Sequence, residues 1–409
     1  MNSRYIVGLD IGSQNIKAAI AERSAKGYVL IDLLTFPSAG IRRGVVENHA
    51  DASQAIANAL GKIQEIAPRA TKNLILSVGS EDVHTQISTG VVAVSSADEE
   101  IYADDVTRVI QAAQAVNLSA NRTVLHSITK EYIVDGNDKV KDPIGMLGKR
   151  LEVNCLIIDA FNPNIKNLVR CVEEVGGGVL DVVLSPLAAS HATLSKNQKE
   201  LGVVLLDIGF GKTSLAIYEE EQLIHTAIIP IGSGHISNDL AIGLRVPVEA
   251  AELVKRSFGN AQSKSILKRD TIDLAKLHAK AKGVVSKKFI AEIIEARLSE
   301  IFEHALEQIK KESNINHLPA GVVLVGAGSL LKGVDELAKK ELKLPVQHGQ
   351  VNLGSLRPES PDLALEGEKP EFAVAIGLLL HHQLQYATPG KRAKHVGSFF
   401  QKVLNYFIP

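Results

Sequence analysis

Apolar residues along this chain fall into short unbroken runs closed by glycine-bearing turns, the pattern of strands buried on both faces. Tyr5-Ile6-Val7-Gly8-Leu9 runs into Asp10-Ile11-Gly12-Ser13, and a second apolar run follows from Ile16 to Ile20. The pattern returns 197 residues later, where Gly202-Val203-Val204-Leu205-Leu206 runs into Asp207-Ile208-Gly209-Phe210-Gly211-Lys212-Thr213 and then into Leu215 to Tyr218. A third strand, Val322 to Val325, enters Gly326-Ala327-Gly328-Ser329 and a helix-like stretch from Leu330 to Leu342. Helical periods between these strands make the chain α/β, with a duplicated strand-turn-strand unit at the head of each half.

The paired turns suggest phosphate chemistry. A glycine in a tight hairpin lets backbone N–H groups approach a phosphate, and a carboxylate at the strand end can hold Mg²⁺ through water. Candidate phosphate ligands are therefore Asp10, Gly12, Ser13, Gln14, Asn15 and Lys17 in the first turn, and Asp207, Gly209, Phe210, Gly211, Lys212 and Thr213 in the second. Asp10 and Asp207 are the candidate metal carboxylates. Two competing nucleotide motifs fail on spacing. A P-loop needs glycine five residues before Gly211, where Leu206 stands, and a dinucleotide fingerprint from Gly326 needs glycine at Leu331.

Composition narrows the class without naming a function. With 409 residues, 45% apolar and 22% charged, the chain can bury more than one core and is not a low-complexity sequence. Its two cysteines, Cys155 and Cys171, sit in apolar runs at no zinc spacing and read as buried free thiols of a reducing compartment. The N-terminus shows no extended apolar segment, so neither a leader nor a spanning anchor is expected there. Charge is uneven. Residues 1–371 carry 41 Lys and Arg against 46 Asp and Glu, whereas residues 372–409 carry four basic residues and no acid. Such a body suits nucleic acid poorly, and such a tail suits an anionic lipid surface.

With these turns in this order, the sequence resembles the actin, heat-shock-chaperone and sugar-kinase superfamily, and within it most closely the FtsA family of bacterial division proteins. The resemblance rests on the segment Leu201 to Gly259, including Gly232-Ser233-Gly234-His235-Ile236-Ser237-Asn238-Asp239 and Ala251-Glu252-Leu253-Val254-Lys255. It also rests on Val124-Leu125-His126-Ser127 and Asp142-Pro143-Ile144-Gly145-Met146, which look like the end of that family's inserted 1C (SHS2) domain. The implied fold is actin-like: duplicated ribonuclease H-like domains flanking an ATP cleft, with the 1C insertion and a C-terminal amphipathic helix. The implied organisation is 1A over 1–80 and 160–198, 1C over 81–159, 2A over 199–230 and 318–385, and 2B over 231–317. A linker over 386–395 and a membrane helix over 396–409 would follow. Nucleoside contacts are expected from Gly232, Gly234, Glu252, Lys255, Gly326, Ala327, Gly328 and Ser329, with ATP and Mg²⁺ as cofactors. On residues alone, Glu252 and Lys255 are an ordinary i, i+3 helical pair.

This chain departs from the family's second turn, Asp-x-Gly-Gly-Gly-Thr-Thr-Asp, by carrying Phe210, Lys212 and Ser214 where Gly, Thr and Asp are expected. The segment Ser185 to His191 offers no Glu, Asp or Gln to position water, so nucleotide binding with slow hydrolysis is predicted; His191 reads as a packed or exposed histidine rather than a base.

The last segment has apolar residues at helical spacing, Val396, Phe399, Phe400, Val403, Leu404, Phe407 and Ile408, opposite Ser398, Gln401, Lys402 and Asn405. It is too short to span a bilayer and reads as an interfacial helix after a basic linker. Ordering cost keeps one tail weak, so polymerisation would be needed to make attachment firm. The resemblance implies further partners: the FtsZ C-terminal peptide at 2B, with Arg297 as the contact and Lys287 and Lys288 beside it; a neighbouring subunit; and later division proteins at 1C. No nucleic acid is expected. The location implied is the cytoplasmic face of the cell membrane, peripheral, at the division site. The alternatives are a PilM-type pilus assembly ATPase, a small-molecule kinase of the same superfamily, and a filament protein like MreB.

Overall fold

A computed structural model describes residues 4–24 and 27–386. The amphipathic segment 396–409 and the linker beyond Tyr386 lie outside the described residues.

Two sheets share one topology. In the first, Tyr5–Ile11 pairs antiparallel with Asn15–Ser24, which pairs antiparallel with Gly27–Pro37; on its other side Tyr5–Ile11 pairs parallel with Leu74–Val78, and Val179–Leu184 lies beyond, also parallel. In the second, Val203–Ile208 takes the central place, with Thr213–Glu219 and Gln222–Ile229 antiparallel on one side and Val322–Val325 and Val346–His348 parallel on the other. The central parallel strands Leu74–Val78 and Val322–Val325 are buried along their whole length, which explains why they read as unbroken apolar runs. Helices cover the sheets. Asn48 caps His49–Ile66 through the Asp51 N–H (3.2 Å), and Ser286 caps Lys287–Glu312 through the Lys288 N–H (3.2 Å).

The inserted domain leaves and re-enters the first half between Leu74–Val78 and Asn162–Glu174. Its strands His84–Ala93, Arg150–Phe161 and Arg122–Val134 form an antiparallel sheet in that order, and Ala103–Gln114 packs on one face, placing Val109 and Ala113 in one core with Leu151 and Val153. Both chain crossings meet at Asp82: its carboxylate accepts from the Phe161 N–H and from Asn164 Nδ2 (3.1 Å), and its carbonyl from Arg122 (2.6 Å), which also pairs with Asp159.

One boundary expectation is corrected. Residues 318–385 do not all belong to the second half. Arg357–Pro358 adds to the first sheet beside Gly27–Pro37, and Ala373–Tyr386 packs on the first half against Ser185–Thr193 and Tyr5–Ile11. The close fit explains the return: a Cβ on Gly8 would lie 2.2 Å from the Ala375 carbonyl oxygen, and one on Gly377 would lie 1.9 Å from that of Ala188. Cys155 and Cys171 are buried free thiols, each pushed up by burial.

Candidate nucleotide cleft

The two glycine turns are built alike. Gly12 N–H donates to the Asn15 carbonyl and Gly209 N–H to that of Lys212, both at 3.0 Å. A Cβ on either glycine would press on the carbonyl closing its own turn, at 2.8 and 2.9 Å, so both positions are held by close approach. In register, Asp10 stands opposite Lys17 and Asp207 opposite Ser214. Equivalent positions therefore differ: where the first turn has Asn15 and Lys17, the second has Lys212 and Ser214.

The turns face each other across one cleft, lined by Asp10, Ser13, Lys17, Asp207, Phe210 and Lys212 with Gly326 and Ala327 at one end. Lys212 crosses it: Nζ donates to the Gly79 carbonyl and lies 3.4 Å from Ser185 Oγ. The cleft encloses about 100 Å³ of free space. Ligand pockets typically span ~300–1,000 Å³, more than this cleft offers as it stands.

Charge is concentrated here. Asp10 accepts a hydrogen bond from Ser77 Oγ (2.6 Å). Burial, and then the neighbouring Asp10 charge, push the Asp207 carboxyl up to about 6, against the pull of Lys17 and Lys212. Burial pushes the Lys212 ammonium down, opposed by Asp10, Asp207 and Asp82. Lys17 Nζ donates to the Glu371 carbonyl (2.7 Å). Two carboxylates and two ammonium groups thus share the space. Asp10 and Asp207 are the two carboxylates present to hold a divalent ion through water, and the Lys212 charge, which acts on both, opposes a second cation there.

The structure brings Gly326 and Ala327 into the cleft but places the other expected nucleoside residues behind its wall. Ser233 N–H donates to the Gly209 carbonyl and Gly234 N–H to that of Phe210, both at 2.8 Å, so the start of Ser233–Leu244 is satisfied by the second turn itself. Lys255, 5% exposed, donates to the Ser233 carbonyl (2.9 Å), Ser237 Oγ (2.9 Å) and Glu252 (2.7 Å). Its Nζ lies 5.4 Å from the centre of the Phe210 ring, and that ring fills the space beside Gly234. Gln14 reaches Glu252 from the first turn. Ser329 is buried with Oγ on the Gly326 carbonyl (2.7 Å), and Gly328 packs on Ile208. The sequence reading missed Gly44, Ser77, Gly79 and Ser185, which line the cleft from strand ends far apart in sequence. His191 does not line it; its Nε2 lies 3.1 Å from His381 Nδ1.

Comparison with known proteins decides the family. A family model described as "Cell division protein FtsA" matches residues 204–377, and one described as "SHS2 domain inserted in FTSA" matches residues 80–159, the inserted domain described above. Cell division protein FtsA of Bacillus subtilis is 34% identical over 378 residues, covering 92% of this chain and 83% of that protein. The Pseudomonas aeruginosa protein is 33% identical over 401 residues, covering 98% and 94%. The chain belongs to the FtsA family. Its fold is the actin-like one, shared with a PilM-PilN type IV pilus biogenesis complex (TM-score 0.60, 17% identity, 92% of this chain and 98% of that one). It is shared too with MreB5 of Spiroplasma citri bound to ADP (TM-score 0.54, 13% identity, 93% and 97%). At those identities the likeness is one of fold alone, and the FtsA reading stands over the pilus one. An actin-like ATPase fold is a nucleotide-binding fold, in agreement with the paired turns.

In this FtsA-family chain Arg297 is already engaged: Nε and Nη2 hold Asp239 at 2.7 and 3.0 Å, and Nη1 pairs with Glu300. Lys287 lies over the Phe258 ring. Ile242 and Phe289 are exposed nearby, Ile242 at 77%. Among the described residues no helix is long and apolar enough to cross a membrane.

Proposed function

We propose that this chain is a nucleotide-binding, polymerising adaptor that tethers FtsZ filaments to the cytoplasmic membrane and recruits later division proteins. The observation that carries the reading is the pairing of two matched glycine turns across one cleft in a chain that aligns over nearly its full length with curated FtsA proteins. ATP is the proposed nucleotide, its phosphates held by the turns at Gly12–Asn15 and Gly209–Lys212, its nucleoside by Gly326 and Ala327 and, once the halves separate, by the wall of Gly232, Gly234, Glu252 and Lys255. Slow turnover fits a cleft where no residue of Ser185–Thr193 is a carboxylate or glutamine. ATP then acts as a filament switch. The FtsZ C-terminal peptide is proposed to dock beside Ile242 and Phe289, with Arg297 exchanging Asp239 for a peptide carboxylate. The inserted domain is proposed to contact the next subunit and later division proteins, and the segment 396–409 to lie in the lipid interface. Titrating a labelled FtsZ C-terminal peptide into the full chain tests the partner: saturable binding weakened ~10-fold by Arg297→Ala, about 1.4 kcal/mol, supports it, and absence of binding removes FtsZ from the account.

A further inference from the structure

The duplicated turns invite a charge comparison. In the first, Asp10 stands in register with Lys17; in the second, Asp207 stands in register with Ser214, and the lysine comes two residues earlier, at Lys212. Each turn therefore carries one carboxylate and one ammonium group into the cleft. The Lys212 ammonium is enclosed where a Cβ on Gly79 would lie 2.8 Å and one on Gly44 3.3 Å from Nζ. It has three protons; Gly79 and Ser185 supply acceptors for two, leaving one for an anion. Its charge acts on Asp10 and Asp207 together.

A triphosphate brought to two carboxylates is repelled unless a cation stands among them. A second turn with Thr and Asp at the places of Lys212 and Ser214 would leave that task to a bound ion. Here threonine to lysine adds one positive charge and aspartate to serine removes one negative charge, a change equal to the charge of one divalent ion. We propose that Lys212 is the resident cation of this cleft, so that nucleoside triphosphate binds this chain with little or no requirement for a divalent metal. The inference rests on the nucleotide reading above and specifies how the same site neutralises its ligand.

The test is equilibrium binding of a fluorescent ATP analogue to the full chain, in excess Mg²⁺ and in excess EDTA, for wild type, Lys212→Thr and Ser214→Asp. Wild type is expected to bind within ~3-fold in the two conditions, whereas Lys212→Thr loses ~10-fold or more in EDTA and recovers in Mg²⁺, the recovery showing that it is folded. Ser214→Asp, which keeps the lysine and adds a carboxylate, is expected to make EDTA weaken binding as well. Wild-type binding that collapses in EDTA overturns the inference while leaving the nucleotide reading intact. Lys212→Thr binding that stays indifferent to EDTA overturns the role of Lys212. No binding by wild type in either condition overturns the nucleotide reading itself, and the inference with it.

Discussion

Thr85 Oγ1 and His225 Nδ1 lie 2.8 Å apart, joining the edge strand His84–Ala93 of the inserted domain to the edge strand Gln222–Ile229 of the second half. A second tie, Gln222 Nε2 to the Lys130 carbonyl (2.9 Å), runs alongside. The inserted domain is thereby tied to the half that carries the Lys212 turn. Thr85→Val leaves the buried His225 ring without that partner at a cost of about 1–3 kcal/mol. Faster amide exchange along His84–Ala93, with the core strands Leu74–Val78 unchanged, is the expected outcome; uniform exchange across both would show that the contact fastens nothing.

The root of the inserted domain predicts a larger effect. Arg122 and Asp159 are both largely buried, and Arg122 also holds the Asp82 carbonyl. Removing one partner strands the other charge, so Arg122→Ala is expected to cost about 3–5 kcal/mol in urea unfolding. A loss under about 1 kcal/mol would mean that water reaches Asp159 when the arginine is gone.

Buried histidines give the chain an acid-sensitive seam. Burial pushes His126 down to about 3 and both His381 and His382 down to about 4, and the His126 and His191 rings both pack on the His381 ring where the inserted domain meets the first half. Each stays neutral in the folded protein while its unfolded counterpart protonates below about 6.5, so the unfolded state binds more protons and stability falls as pH drops from 6.5 towards 4. Asp181 and Asp207, pushed up to about 6 by burial, act in the opposite direction, losing stability as pH rises through that range. The informative quantity is therefore the difference between wild type and His381→Gln. Wild type should lose ground to the variant by up to about 1.4 kcal/mol per pH unit below 6.5. Parallel curves would contradict this account of the cluster.

We propose that the Phe210 ring holds nucleotide affinity back. Its ring lies against Gly234 and under Lys255, the wall expected to receive the nucleoside. Phe210→Gly, restoring the family residue, is expected to tighten ATP binding by ~3–10-fold, about 0.7–1.4 kcal/mol, in calorimetric titration. Unchanged or weaker binding would assign the ring to holding the nucleoside.

Much of this was legible in the chain itself. The two Asp-Ile-Gly turns announced the duplication because a hairpin is a local structure, and the inserted domain announced itself through strands that pair within 80 residues of one another. What stayed hidden was long-range. Ser77, Gly79 and Ser185 enter the cleft only because parallel pairing brings the ends of Leu74–Val78 and Val179–Leu184 beside Tyr5–Ile11. The return of Ala373–Tyr386 to the first half depends on Gly8 and Gly377 meeting carbonyls far along the chain, a fit no local periodicity encodes. Arg297 read as a free cation because its partner Asp239 lies 58 residues away on another helix.

The proposed tether carries FtsZ to a lipid surface. The most direct measurement is co-sedimentation of FtsZ with anionic liposomes in the presence of the full chain, a chain ending at Thr388, or a Phe400→Asp variant, each with and without ATP. FtsZ should reach the pellet only with the intact chain, and more of it with ATP, because polymerised tails bind a surface that single tails hold weakly. Equal FtsZ in the pellet with all three proteins, or none with any, would contradict the tether.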